Sequence, residues 1–133
     1  MYAQAYFDYD SKKSGGVTIS HLRFGKDPIK ATYLINKANF VACHNPSYVR
    51  KYNMVQDLKD GGTFLLNCSW DMEELEKQLP GQVKAYMAKH NIKFYTIDGI
   101  KIGTPSLYRT APMPPVCQTK CRATVTKLWL NVS

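Results

Sequence analysis

The stretch that decides the fold runs from Phe40 to Leu66, FVACHNPSYVRKYNMVQDLKDGGTFLL. It begins and ends with a short apolar run, FVAC (Phe40–Cys43) and TFLL (Thr63–Leu66). Short runs without polar alternation predict strands buried on both faces, the habit of a parallel sheet. Between them, Pro46 opens a predicted helix over 47–53, because a proline in the first turn forfeits no helical hydrogen bond. A second helical piece is predicted over 54–59, with Gly61-Gly62 as its stop. Strand, helix and strand in close succession are most simply parallel neighbours joined by a right-handed crossover.

The pattern continues downstream. Asp71 and Glu74 have capping-box spacing and predict a helix through Gln78. Pro80 opens another, in which Val83, Tyr86, Met87 and His90 recur on one helical face. Asn91 closes it, and IKFYTI (Ile92–Ile97) predicts a strand. Upstream, VTISHLRF (Val17–Phe24) predicts a strand after the Gly15-Gly16 breaker. Alternating strands and helices of this kind predict an α/β layer fold with a parallel sheet. Residues 1–16 (MYAQAYFDYDSKKSGG) read as a helix or aromatic segment entering a Gly-rich loop, with no strand before it. An open parallel sheet normally begins with a strand whose carboxyl-end loop binds the ligand. The chain is therefore expected to enter its fold one element late, leaving the edge of a central strand open.

At 133 residues the chain is long enough to bury a core without a disulfide or metal. No apolar stretch reaches the ~20 residues of a membrane span. Residues 1–10 have neither the basic nor the apolar region of a signal peptide. Four cysteines in that context predict reduced thiols and a cytoplasmic protein. The formal charge of +8 is unevenly spread. Residues 103–133 carry Arg109, Lys120, Arg122 and Lys127 and no acid, so this short stretch holds half of the net charge. They also hold Pro105, Pro112, Pro114 and Pro115, and RTAPMPPV (Arg109–Val116) is incompatible with helix or central strand. Only ATVTKLWLNV (Ala123–Val132) is a strand candidate there. The composition break near Gly103 divides the chain into 1–102 and an irregular Pro/Thr/Arg-rich tail, 103–133.

Several groups could carry chemistry. Lys12, Lys13, Ser14, Gly15 and Gly16, in SKKSGG, combine cations, hydroxyls and glycines whose N–H groups can converge on phosphate. The order is not that of a P-loop, and a solvated turn is the competing reading. Cys43-His44-Asn45 is no nucleophilic triad, since such partners are distant in sequence. Cys43 ends an apolar run and reads as a small buried hydrophobe. In an open α/β sheet the loops after the strands line the ligand crevice. His44, Asn45, Asn67 and Asp98 would then share one rim, unless each serves only its local turn or cap. Cys43, Cys68, Cys117 and Cys121 lack zinc or iron–sulfur spacing, so no metal site is expected. Nucleic-acid binding is the obvious alternative for a basic, tyrosine-rich chain. Its lysines are spread through the sequence, however, and no recognition motif accompanies them.

AQAYFDYDSKKSGGVTISHLRFG (Ala3–Gly25), TYLIN (Thr32–Asn36), FVACHN (Phe40–Asn45), GGTFLLN (Gly61–Asn67) and FYTIDGIKI (Phe94–Ile102) together strongly resemble one family. It is the gamma-type domain of the pyruvate:ferredoxin (flavodoxin) oxidoreductases, and the likeness covers residues 1 to about 102. The resemblance implies a Rossmann-like open, mostly parallel sheet with helices on both faces. It also implies an enzyme that oxidatively decarboxylates pyruvate on thiamine diphosphate and forms acetyl-CoA. Electrons would leave through iron–sulfur clusters to ferredoxin or flavodoxin. The gamma-type domain helps to hold coenzyme A, and its lysine in the SKKSGG segment corresponds to Lys13 here. Two further coenzyme A segments of the family, a G-D-G-T-V-G-A-N-K loop and a G-L-G-G-R-I-N segment, have no counterpart in this sequence. The expectation is an N-terminally truncated part of the domain with a tail from another reading frame or a fused sequence. It would be inactive alone and bind no thiamine diphosphate or cluster, and its partners would be the other domains of the enzyme. The alternatives are a standalone coenzyme A or nucleotide-binding module and a basic nucleic-acid binder.

Overall fold

The computed structural model describes residues 1–9, 16–99 and 101–102, and the backbone of 124–130. Six strands and three helices follow in the order β1 (Tyr2–Tyr9), β2 (Thr18–Gly25), β3 (Ala38–Cys43), α1 (Tyr48–Lys51), β4 (Leu58–Asn67), α2 (Met72–Gln78), α3 (Gly81–Lys89), β5 (Lys93–Ile97) and β6 (Thr124–Leu130). A 3-10 turn, Met54–Asp57, precedes β4. The strands form one sheet in the order β1-β2-β6-β3-β4-β5. Pairings β2–β6, β3–β4 and β4–β5 are parallel, while β1–β2 and β3–β6 are antiparallel. This is the expected α/β, Rossmann-like architecture.

The succession β3, β4, β5 runs in one direction across the sheet, so right-handed crossovers place both connections on the same face. Register puts Val41 beside Phe64 and Cys43 beside Leu66 on that face. All four belong to one buried cluster with Tyr48 and Val49 of α1, Met54 and Val55 of the 3-10 turn, Leu75 of α2 and Val83 of α3. On the opposite face Leu65 is half-buried and Tyr95 and Ile97 are exposed. The described helices therefore form the layer over the first face.

Several expectations need correction. Residues 2–9 are a strand, not a helix: β1 pairs with all of β2, Tyr2 opposite Gly25 through Tyr9 opposite Thr18. As an edge strand it satisfies its backbone through one neighbour and needs no buried face. β3 has no open edge either, because β6 lies between β2 and β3, pairing Phe40 with Leu128 and Cys43 with Val125. The tail is thus not wholly irregular, and its one strand candidate takes a central position. Helix beyond Asp57 was also wrong. β4 starts at Leu58, and Gly61-Gly62 lies within it, where the register jumps from Ala38–Leu58 to Phe40–Thr63. Gly61 has φ +72°, and a Cβ on Gly62 would sit 2.8 Å from the Lys59 carbonyl oxygen. The glycines make a bulge possible rather than a helix stop.

Downstream the reading holds closely. α2 begins after Asp71, although the Asp71 side chain makes no capping hydrogen bond. α3 begins after Pro80, buries Val83 and packs Tyr86 and Met87 on the core. Asn91 adopts φ +51°, the left-handed conformation that ends a helix.

Candidate functional site

The carboxyl ends of β3, β4 and β5 bring together three of the loops expected to share a rim. Asn67, the last residue of β4, is the tie between them. Its Nδ2 donates to the His44 carbonyl at 3.2 Å, and its Oδ1 accepts from the Gly99 N–H at 2.9 Å. One side-chain amide therefore spans the loops after β3 and β5, with both ends occupied. Cys68 N–H also donates to the Ile97 carbonyl at 2.9 Å, which closes β4 onto β5.

The other rim residues organise their own loops. Asn45 Oδ1 accepts from Ser47 N–H at 3.0 Å and from Ser47 Oγ at 2.8 Å. This turn aims the chain into α1, whose first residue is Tyr48. Asp98 Oδ1 accepts from Lys101 N–H at 3.0 Å, and Ile102 N–H donates to the Asp98 carbonyl at 3.1 Å, so Asp98 caps the helical turn that follows β5. His44 is exposed on the rim, its carbonyl held by Asn67.

Cys43 lies beneath these loops, 1% exposed. Burial pushes its thiol from the ordinary 9.0 up to about 11; a hydrogen bond with the Asn45 backbone opposes the shift and Cys68 adds to it. A thiol so raised is protonated at neutral pH and is no nucleophile. It fills space, as the sequence suggested. Cys68 is likewise a buried free thiol. Among the described residues, no group of three or more His, Cys, Asp and Glu side chains could hold a metal ion.

Lys12, Lys13, Ser14 and Gly15 lie outside the described residues. Gly16 does not. Its carbonyl accepts from the Tyr48 hydroxyl at 3.4 Å. Tyr48 is 7% exposed and stacks edge-on against Tyr52 at 5.4 Å between centroids. The end of the SKKSGG segment is thereby attached to the helix that follows His44 and Asn45. Reasoning from sequence missed Tyr48 as the connecting residue. Its place at the start of the helix after a strand's carboxyl end was the available signal.

The family described as Pyruvate ferredoxin/flavodoxin oxidoreductase matches residues 1–113. The pyruvate:ferredoxin oxidoreductase of Moorella thermoacetica is 60% identical over 102 residues, which cover 77% of this chain and 9% of that protein. The pyruvate-flavodoxin oxidoreductase of Enterobacter agglomerans is also 60% identical over the same lengths. A pyruvate dehydrogenase [NADP(+)] of Cryptosporidium parvum is 48% identical over 107 residues, 80% of this chain and 6% of that protein. The chain thus spans under a tenth of the length of these relatives, and it belongs to the pyruvate ferredoxin/flavodoxin oxidoreductase family.

Proposed function

We propose that this chain is the coenzyme A-side part of an oxidoreductase that converts pyruvate and coenzyme A to acetyl-CoA and carbon dioxide. Two electrons pass to ferredoxin or flavodoxin. Thiamine diphosphate and iron–sulfur clusters, when bound by other parts of the enzyme, supply the decarboxylation and electron-transfer chemistry. This chain supplies a surface for the thiol substrate. Lys13, with Lys12, Ser14, Gly15 and Gly16 beside it, would hold phosphate groups of coenzyme A by charge and main-chain N–H groups. The Tyr48–Gly16 hydrogen bond carries the reading, because it ties that segment to the strand-end rim of His44, Asn45, Asn67 and Asp98. The rim's side chains are engaged in shaping loops, so their part is to fix the position of the lysine segment.

Residues 1–102 are the oxidoreductase portion in this reading, and 103–133 a segment of separate origin that completes the sheet through β6. The composition break at Gly103 is the observation behind that boundary, while the family match runs on to residue 113. Buried free thiols at Cys43 and Cys68 suit a reducing, cytoplasmic setting. Calorimetric titration of the 133-residue chain with coenzyme A tests the site. Saturable binding that weakens about tenfold in Lys13→Ala, the loss of one charge-assisted contact, is expected. No heat at millimolar coenzyme A would remove the reading. Turnover of pyruvate by this chain alone would overturn its status as a part.

A further inference from the structure

The two edges of the sheet are built differently. β5 is five residues long and begins with Lys93, a short strand guarded by a cation. β1 is eight residues long and contains no Lys, Arg or Pro. It pairs with β2 residue for residue, from Tyr2 opposite Gly25 to Tyr9 opposite Thr18, with no bulge to twist its outer edge away. Among the described residues β2 is its only ladder partner. An edge that is long, regular and uncharged except at Asp8 presents a row of main-chain N–H and C=O groups to another strand.

The side chains of β1 select which strand. Asp8 lies opposite Ile19, which packs on the helix-covered core, so Tyr2, Gln4, Tyr6 and Asp8 share that face. Ala3, Ala5, Phe7 and Tyr9 share the other, and all four are exposed. The Phe7 and Tyr9 rings lie 6.4 Å apart. Small side chains thus occupy the first half of this face and aromatic rings the second. A row of that kind is complementary to its own reverse. With Tyr6 on a two-fold axis perpendicular to the sheet, Ala5 stands opposite Phe7 of a second copy and Ala3 opposite its Tyr9. Each ring then covers a methyl group instead of meeting another ring. On the helix-side face Asp8 stands opposite Gln4, so the two carboxylates stay apart. The net charge of +8 does not oppose the contact locally, since β1 has no cation.

We propose that β1 is a self-association edge, through which two copies of this chain join antiparallel and two six-stranded sheets become one. Main-chain hydrogen bonds over residues 3–9 supply the affinity, and the pairing of alanine with aromatic residues fixes the register.

Sedimentation of the 133-residue chain tests the association, and cross-linking tests its register. A monomer–dimer equilibrium with a dissociation constant of about 10–100 μM is expected, as for a small interface. Phe7→Lys, which puts a cation on the exposed edge, should weaken it about tenfold or more, and Tyr95→Lys on β5 should leave it unchanged. Ala5→Lys combined with Phe7→Glu should restore association, because each new ammonium faces a new carboxylate. On mild oxidation Tyr6→Cys should give a disulfide-linked dimer above the parent's background, since directly opposed strand residues lie ~5 Å apart. Asp8→Cys should not, because its two copies are four residues apart in this register, ~13 Å. A chain that stays monomeric at about 500 μM, a dimer lost in Tyr95→Lys or kept in Phe7→Lys, or cross-linking through Asp8→Cys in place of Tyr6→Cys overturns the proposal.

Discussion

The β3–β4–β5 half of the sheet and the β1–β2 half share one backbone ladder but differ in what holds them. Every largest fully buried side chain, Phe64, Leu58, Leu66, Val41, Val55 and Cys43, belongs to the first half or its crossover. In β1, by contrast, Tyr2, Tyr6, Phe7 and Tyr9 are each at least 50% exposed. In β2 the buried side chains are polar: Thr18, Ser20, His21 and Arg23. The Ile35 N–H donates to His21 Nδ1 at 3.2 Å, so that half is fixed by directed polar contacts. Apolar burial is non-directional and scales with area, whereas polar contacts depend on geometry. The first half should therefore dominate stability.

The largest contrast is expected from truncating aromatic residues. Phe64 is 1% exposed and stacks on Phe94 at 5.7 Å, so Phe64→Ala should cost about 3–5 kcal/mol. Phe7 is 50% exposed in β1, and Phe7→Ala should cost under about 1 kcal/mol. Urea denaturation of the two variants measures the difference, and comparable losses would break the proposed division of labour. Glycines sharpen it. Gly62→Ala drives a Cβ to 2.8 Å from one backbone oxygen and 3.1 Å from another, which the β4 bulge can relieve only by shifting. A loss of about 2–3 kcal/mol is expected, as for overpacking. Gly81→Ala meets nothing within 4 Å at the start of α3 and should gain up to about 1 kcal/mol.

The same contrast decides what was legible in the sequence. FVAC and TFLL could be read because short apolar runs bounded by turn signals mark strands, and Val41, Cys43, Phe64 and Leu66 fill the core beneath the helices. β1 could not, since an edge strand is specified by its partner more than by its own pattern, and its aromatic residues suit helix or strand equally. Residues 58–59 were misread because glycines after a helical turn usually end a helix, and the bulge that uses them exists only opposite β3. The rim residues were legible from the rule that loops after parallel strands converge. What they do was not. Asn67 meets residues 23 and 32 positions away, and Tyr48 meets one 32 positions away. No local pattern encodes such pairings.

Next in size is a pH effect confined to the buried half. Unfolded, the Cys43 thiol ionises near its ordinary 9.0; folded, burial delays this to about 11. Between these values the unfolded chain gains a charge that the folded chain resists. The contribution is fully present below pH 9 and lost as pH rises through 11. Stability measured in the parent and in Cys43→Ala should therefore converge by roughly 2 kcal/mol from pH 8 to pH 11. A constant gap across that range would mean that the thiol is not shielded as its burial indicates.

The smallest effect concerns the rim, where the buried half becomes a functional surface. Asn67→Ala removes both hydrogen bonds that tie the β3 and β5 loops, at a cost of about 1–2 kcal/mol. Asn67→Asp keeps the acceptor for Gly99 N–H and loses the donor to His44, so it should fall between parent and Ala. Hydrogen exchange at Gly99 separates the two roles: protection should survive in Asp and vanish in Ala. If the rim positions the lysine segment through Tyr48, Asn67→Ala should also weaken coenzyme A binding about threefold. Unchanged coenzyme A affinity in Asn67→Ala would mean that Asn67 joins its two loops without positioning the lysine segment.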